Sequence, residues 1–387
     1  MGNGFGLLNE ELAMPWGPKS MLDVRSEFVM LARGEAANVS ELCRRFGIST
    51  KTAYKWLGRF EREGQAGLAD QSRRPKNSPG RSAEAMEAQV LEQRKKHPAW
   101  GGRKIAAALR RQEIKAPSPS TVTAILRRNG VKFGEFGGGA AAFIRFEHPA
   151  PNDLWQMDFK GHVAMREGRL HPLTVLDDHS RYAIVTSACA NEQTDTVKTR
   201  LVTAFQRYGL PLCIMTDNGS PWGDGPGSPF TPLGVFMIEQ GIRIGHSRPY
   251  HPQTNGKDER YHRSLKAEAL SGPPFDDLAQ AEAALARWRH VYNTERPHEA
   301  LGLGVPIDRY QPSPRPYCEA VQAFDYAPDD SVRRVQQQGI VSFRGTEYRI
   351  PKAFYGKDIA FRPTEKDGTS KIFFRHQFIK SLDIQTK

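Results

Sequence analysis

Arg248 to Leu270 reads RPYHPQTNGKDERYHRSLKAEAL, which sets Lys257, Arg260, Arg263 and Lys266 around two adjacent acids, Asp258 and Glu259. Acids in so basic a segment have two readings. One is a surface helix laced with ion pairs. The other is a site where a carboxylate holds a cation while its basic neighbours hold a polyanion. Two further acids stand in conspicuous places, Asp158 in WQMDF and Asp217 in TDNGS. Taken singly, Asp158 reads as a solvent-side strand residue, Asp217 as a turn former before Asn218-Gly219, and Glu259 as an ion-pair partner. Their joint order along the chain is what favours the second reading. On a helix Asp258 lies about 100° away from Glu259, so the two adjacent acids cannot share a role.

The elements that must position these acids are legible from periodicity. In LWQMDFKGHV, Trp155, Met157 and Phe159 alternate with Gln156, Asp158 and Lys160, which marks a strand. LHPLTVLDDHSRYAIVTSAC reads as two more strands joined by a turn at Asp177-Asp178-His179-Ser180. TDTVKTRLVTAFQRYG is a helix, LPLCIMTDNGS a short buried strand ending at Asp217, residues near 231–240 a helix, and residues near 242–247 a strand. The helix carrying Glu259 begins at about Gln253, and 277–294 forms another. The order βββαβαβα, with acids on the first strand, at the end of the fourth and on a later helix, matches a central α/β ribonuclease H-like core over 151–310.

Together WQMDF, TDNGS, HPQTNGKDERYHRSLK and YNTERPHEALG (292–302) resemble, in this order, the DDE transposases of bacterial insertion sequences, relatives of retroviral integrases. The resemblance covers roughly residues 20–315. It implies a catalytic and metal-holding triad of Asp158, Asp217 and Glu259, with Mg²⁺ or Mn²⁺ as cofactor, two ions in all. Lys266 occupies the family's basic position and would touch the DNA end, with Lys257 and Arg263 beside it. The implied chemistry is metal-assisted hydrolysis at the ends of a mobile element, then in-line attack of the freed 3′-hydroxyl on target DNA, with no covalent protein–DNA intermediate. Two ions about 3.5–4 Å apart clamp the attacking and leaving oxygens of such a displacement. Mg²⁺ needs few protein carboxylates because phosphate and water complete its octahedron. On the last helix Glu259, Arg263 and Lys266 share a face, a metal ligand followed by phosphate contacts. The 41 residues between Asp217 and Glu259 exceed the family's usual spacing. The excess falls in the Gly/Pro loop GSPWGDGPGSP (219–229), where Asp224 is a remote alternative ligand. His251 and Asn255 support either the helix start or the DNA.

Charge directs attention to the other end of the chain. Net charge is +12 overall, of which residues 1–150 hold +10 and the remaining 237 only +2, so a nucleic-acid partner engages the N-terminal part first. From Asn38, NVSELCRRFGISTKTAYKWLGRFEREG offers a helix capped by Asn38, a break at Gly47 and a second helix capped by Ser49. Val39, Leu42, Cys43 and Phe46 form one apolar face; Ala53, Leu57 and Phe60 form the other. Lys51, Lys55 and Arg59 point outward, which suits a helix-turn-helix in a major groove. An ordinary helical hairpin with a solvated basic face is the alternative.

The chain is therefore expected to be multidomain. N-terminal all-α helix-turn-helix units span 20–75 and 80–132, the second starting at Ser82–His97 and capped at Ser118 or Ser120 before its last helix. A glycine-rich linker covers 133–150. After the core and the proline-rich QPSPRPY, residues 318–387 read as a small β-barrel serving either as a DNA or subunit contact or as a stabilising cap. Four separated cysteines without a CxxC suit a reducing compartment. No apolar run is long enough to span a membrane and no secretory signal is present. The expected setting is the bacterial cytoplasm, associated with the nucleoid. The expected partners are double-stranded DNA, both element ends and target, and further copies of the chain on that DNA. Two other readings compete: a non-catalytic helix-turn-helix regulator, and a structure-specific nuclease on the same core.

Overall fold

The computed structural model describes residues 20–72, 81–132, 147–223, 230–246, 256–365 and 368–383. The chain divides into two compact units, 1–81 and 82–387.

The first unit is three helices: α1 (Met21–Ala32), α2 (Val39–Phe46) and α3 (Thr50–Glu63). Ser20 and Asp23 cap α1 reciprocally, and the Asn38 and Ser49 side chains accept from Glu41 N and Thr52 N at the starts of α2 and α3. Gly47 ends α2 at φ 63°, a left-handed position that a β-carbon disfavours. Phe28, Val29, Cys43, Ala53, Trp56 and Leu68 make the core. The apolar face of α3 is therefore centred on Ala53 and Trp56, with Leu57 and Phe60 only partly buried beside them.

In the second unit, α4 (Glu84–Lys96), α5 (Gly102–Arg111) and α6 (Pro119–Arg128) enclose Val90, Trp100, Ile105, Leu109, Val122, Ile125 and Leu126. Ser118, with Pro119 behind it, is the cap of α6. These helices belong to the same compact unit as the core. They pack on the core, where Val291 joins their apolar cluster and Arg111 forms two 2.8 Å hydrogen bonds to Asp308. The expected linker over 133–150 lies mostly outside the described residues.

The core sheet contains β1 (Trp155–Phe159), the two-residue β2 (Val163–Ala164), β3 (Arg169–Asp177), β4 (Ala183–Cys189), β5 (Cys213–Thr216) and β6 (Arg243–His246). β4, β3 and β1 pair antiparallel, then β1, β5 and β6 pair parallel. That is the ribonuclease H-like arrangement. On one face α7 (Thr194–Tyr208) and α8 (Pro232–Glu239) bury Val197, Leu201, Phe205, Leu233 and Ile238 with Trp155 and Met157. On the other, α9 (Gly256–Leu265) and α10 (Leu278–Thr294) bury Tyr261, Leu265, Leu285 and Trp288 against Leu170, Leu176 and Ala183.

The C-terminal strands are β7 (Ser331–Arg334), β8 (Ile340–Phe343), β9 (Thr346–Arg349), β10 (Asp358–Pro363), β11 (Thr369–Phe374) and β12 (Gln377–Asp383). They do not close into the expected barrel. β12, β11, β10 and β7 make an open antiparallel sheet, and β8 with β9 a separate hairpin. Ile359, Phe361, Ile372 and Phe374 are buried in one continuous cluster with the core rather than in a barrel interior of their own. Contact with the core covers the apolar face, which removes the need for closure.

Candidate active site

Register explains the first two acids. β1 and β5 run parallel with Gln156 opposite Met215, so two residues further on Asp158 and Asp217 meet at the same carboxyl end. Alternation along β1 sends Trp155 and Met157 into the α7 side and leaves Gln156 and Asp158 facing α9. Burial and the negative charge of Asp217 push the Asp158 carboxyl up to about 6. Two carboxylates so placed resist joint ionisation unless a cation lies between them. Asp217 is held by a local turn: its Oδ1 accepts from Gly219 N at 3.0 Å, and its carbonyl lies 2.9 Å from His246 Nδ1.

The helix α9 docks on this face through polar contacts. Asp258, Tyr261, His262 and Leu265 are its buried residues, at i, i+3, i+4 and i+7. Tyr261 Oη is hydrogen-bonded to Thr186 Oγ1. His262 Nε2 lies 2.8 Å from Thr174 Oγ1, and its Nδ1 is 3.9 Å from Asp158 Oδ2. Burial, with the charge of Lys160, lowers the His262 ring to about 4. Beyond α9 the chain passes through a π-helical turn, Lys266–Leu270, whose Glu268 pairs with Arg296 at 2.9 Å.

The adjacent acids are sharply different. Asp258 is turned inward, and burial with the charges of Asp158 and Asp178 drives its carboxyl well above the ordinary range. Its Oδ1 has no hydrogen-bond partner. Glu259 is exposed and is not among the groups that act most on Asp158, which are Asp217, Glu192 and Lys160. It lies about 60° around α9 from His262 and one turn nearer the helix start. Among the described residues no three acids, histidines or cysteines are gathered tightly enough to hold a metal. The donor set that is present, carboxylate oxygens without thiolate, fits a hard cation such as Mg²⁺ or Mn²⁺.

Lys257 was expected against DNA, but its ammonium is committed to buried Asp178. That carboxylate also accepts from Gln156 Nε2 and His148 N, so Lys257 compensates an interior charge. Asp178 thus does more than shape the turn, whereas Asp177 does organise it, accepting from Ser180 N and Oγ and from Asn152 N. Arg263 and Lys266 are exposed on and just beyond α9. In the first unit Lys51 and Lys55 are exposed, while Arg59 and Lys55 also lie over the Trp56 ring, at 5.0 and 4.8 Å from its centre. Asp224, His251 and Asn255 lie outside the described residues.

Periodicity missed Glu192, paired with His171 at 2.8 Å and close enough to act on Asp158, because it sits in a connection. It also missed His262. Its place four residues after Asp258 on the inward face was the available signal.

YNTERPHEALG is a docking segment. Asn293 Oδ1 accepts from Ala183 N and its Nδ2 donates to Ala183 O, clasping a strand backbone. Tyr292 packs edge-on against Tyr261. Arg296 reaches both Glu268 and Ser264.

Integrase core domain models match residues 148–252 and 240–306. A helix-turn-helix domain model matches 25–76, a homeodomain-like domain 52–126, and the C-terminal domain of IS481 family transposases 330–387. The chain is 28% identical over 159 residues to an uncharacterised 31.7 kDa protein of insertion element IS407 from Burkholderia multivorans, covering 41% of this chain and 55% of that protein. It is 31% identical over 154 residues to a 39.2 kDa protein of insertion element IS476 from Xanthomonas euvesicatoria, covering 39% and 42%. A putative transposase for insertion sequence element IS5376 from Geobacillus stearothermophilus is 24% identical over 257 residues, 63% of this chain and 62% of that one. The chain spans about half the length of the first two relatives. The chain is 18% identical to a solved HTLV-2 integrase catalytic core domain in complex with magnesium, the match covering 42% of this chain and 99% of that one with a TM-score of 0.32.

Proposed function

We propose that this chain, which integrase core models match over 148–252 and 240–306 and the IS481 family transposase C-terminal domain over 330–387, is an integrase-core transposase of a bacterial insertion sequence that binds the ends of a mobile DNA element and catalyses divalent-metal-dependent strand cleavage and transfer. The observation that carries this reading is the pair Asp158 and Asp217, side by side at the carboxyl ends of parallel strands, with Asp158 held near 6. Asp158, Asp217 and Glu259 would hold Mg²⁺ or Mn²⁺, two ions in the full complex. When bound, the metal supplies Lewis-acid charge to the scissile phosphate and its attacking oxygen.

The rest falls to the chain's own residues. Asp158, its carboxyl at about 6, would meet the cation as a carboxylate at neutral pH, and the Gly219 N–H keeps Asp217 Oδ1 pointed to one side. Glu259 serves as third acid because it is open to an incoming phosphate, while Asp258 is buried, with its carboxyl driven well above the ordinary range. Arg263 and Lys266 follow on the same helix as phosphate contacts. The helix-turn-helix units supply the DNA grip, with Lys51 and Lys55 toward the groove. Two or more copies assemble on the DNA so that both element ends are cut together.

The test is cleavage of an end-bearing duplex in Mg²⁺ by purified protein. Asp158→Asn, Asp217→Asn and Glu259→Gln should each lower cleavage by at least about 10²-fold while end binding persists. Asp258→Asn, a change of similar size at a side chain buried away from the substrate, should cleave nearly as the parent does. Normal cleavage by Glu259→Gln together with loss in Asp258→Asn would transfer the third position to Asp258.

A further inference from the structure

Gly58 has no reason inside its own fold to be glycine. It stands in the middle of the 14-residue α3, where glycine is less favourable than any residue but proline. Its backbone is helical, and a β-carbon on it would meet no described atom of the first unit within 4 Å. Gly67 is the contrast, since a β-carbon there would meet Arg59 O at 2.5 Å.

The place of Gly58 on the helix says what else could want it bare. Ala53 and Trp56 face the core, with Leu57 and Phe60 partly buried beside them. Helical spacing sets Lys51, Tyr54, Lys55, Gly58 and Arg62 on the opposite stripe. Tyr54 is 64% exposed, a large aromatic ring on a side the unit leaves uncovered. Lys55 and Arg59 lean over the Trp56 ring, and Arg62 Nε donates to Gly58 O at 3.1 Å, yet none closes over the Gly58 Cα. The acids of α3, Glu61 and Glu63, are confined to its last turn. The face is therefore cationic at its rim and, along its crest, aromatic and then bare. A polyanion whose groove carries flat, partly apolar edges is the complement.

We propose that Tyr54 and Gly58 read the sequence of the element end, with base edges of the major groove lying against the bare backbone at Gly58 and the Tyr54 ring packed on them. A thymine methyl is the apolar base-edge group that such a ring contacts. Lys51 and Lys55 stand at the rim, where phosphate contacts supply affinity and orientation but carry no sequence. A side chain at Gly58 would hold the helix off the bases. This inference rests on the DNA-binding reading above and names the residues that make that binding specific.

The test uses full-length protein, a labelled duplex of the element end and a scrambled duplex of the same length. Gly58→Ala and Gly58→Leu introduce better helix formers, so both should melt no lower than the parent. Affinity for the end duplex should nevertheless fall about 10-fold for Ala and further for Leu, because the added carbons meet a packed surface. Tyr54→Ala should lose about 10-fold on the end duplex, whereas Tyr54→Phe, which keeps the ring, should stay within a few-fold of the parent. On the scrambled duplex all four should bind within a few-fold of the parent.

Parent-like end affinity in Gly58→Leu overturns the proposal, even where Lys51→Ala weakens binding as the DNA reading requires. Equal losses on both duplexes would put the stripe on phosphates rather than bases, which also overturns it. A lower melting temperature for Gly58→Ala would give the glycine a reason inside the fold and remove the premise. Lys51→Ala is the separate control: if its salt dependence matches the parent's, the first unit does not grip the DNA, and the underlying reading fails with the proposal.

Discussion

At the residue scale the decisive feature is the cost of ionising Asp158. Its carboxyl stands at about 6 in the folded protein against 3.8 ordinarily. The folded state therefore binds more protons than the unfolded state between those two values, and stability falls as pH rises through that window. Asp158→Asn removes this burden. Without divalent metal at pH 7, the variant should be more stable than the parent by about 1–3 kcal/mol, allowing for the partial exposure of the group. Below pH 4 the difference should vanish. Adding Mg²⁺ at pH 7 should stabilise the parent and leave the variant unmoved. Thermal melts at pH 4 and pH 7, with and without Mg²⁺, check all three statements; a variant that melts below the parent at pH 7 contradicts them.

At the element scale the site depends on where α9 lies, and three clasps hold that helix. Lys257 meets Asp178 at its start, Tyr261 and His262 bond Thr186 and Thr174 along its length, and Arg296 holds Ser264 and Glu268 at its far end. Arg296 and Glu268 are both largely buried, so removing one partner leaves the other charge uncompensated. Arg296→Ala should cost about 3–5 kcal/mol in urea unfolding. It should also depress cleavage while end binding through the first helical unit persists. Lys257→Met should weaken the fold in the same assay yet leave affinity for end DNA unchanged, because its ammonium faces Asp178 rather than solvent. A substantial loss of DNA affinity in Lys257→Met would restore it as a phosphate contact.

At the scale of the whole molecule, formal charge and available charge differ. Residues 82–132 hold 11 Lys+Arg against four acids. Several of these cations are already paired with the core: Lys96 with Glu295, Arg103 with Glu299, Lys104 with Glu268 and Arg111 with Asp308. Burial also lowers Lys104 to about 8. Each phosphate contact contributes close to one unit to the slope of log affinity against log salt. Lys51→Ala and Lys55→Ala, on the exposed side of α3, should each lower that slope by about one. Lys96→Ala should leave it unchanged. Fluorescence titrations of labelled end DNA between low and moderate salt distinguish the two groups, and an equal fall for Lys96→Ala would mean that DNA displaces its contact with Glu295.

Local pattern alone determined much of this protein. Period-two alternation in WQMDF placed Asp158 on a strand face, and Asn38, Gly47 and Ser49 marked the helix-turn-helix through capping and left-handed backbone geometry that operate within a few residues. The order of strands and helices was enough for the ribonuclease H-like sheet. Tertiary structure decided matters that depend on residues far apart in the chain. The inward turn of Lys257 and Asp258 follows from how α9 is rotated against Asp178, Thr174 and Thr186, a rotation that three cations spread around the helix obscure in the sequence. Trp56 is a core residue because the helices of the first unit close over it, with Arg25, Lys55 and Arg59 lying around its ring. The alternation of the C-terminal strands was visible in the sequence, but whether they close on themselves depends on what covers their apolar face. Here the core covers it, and the sheet stays open.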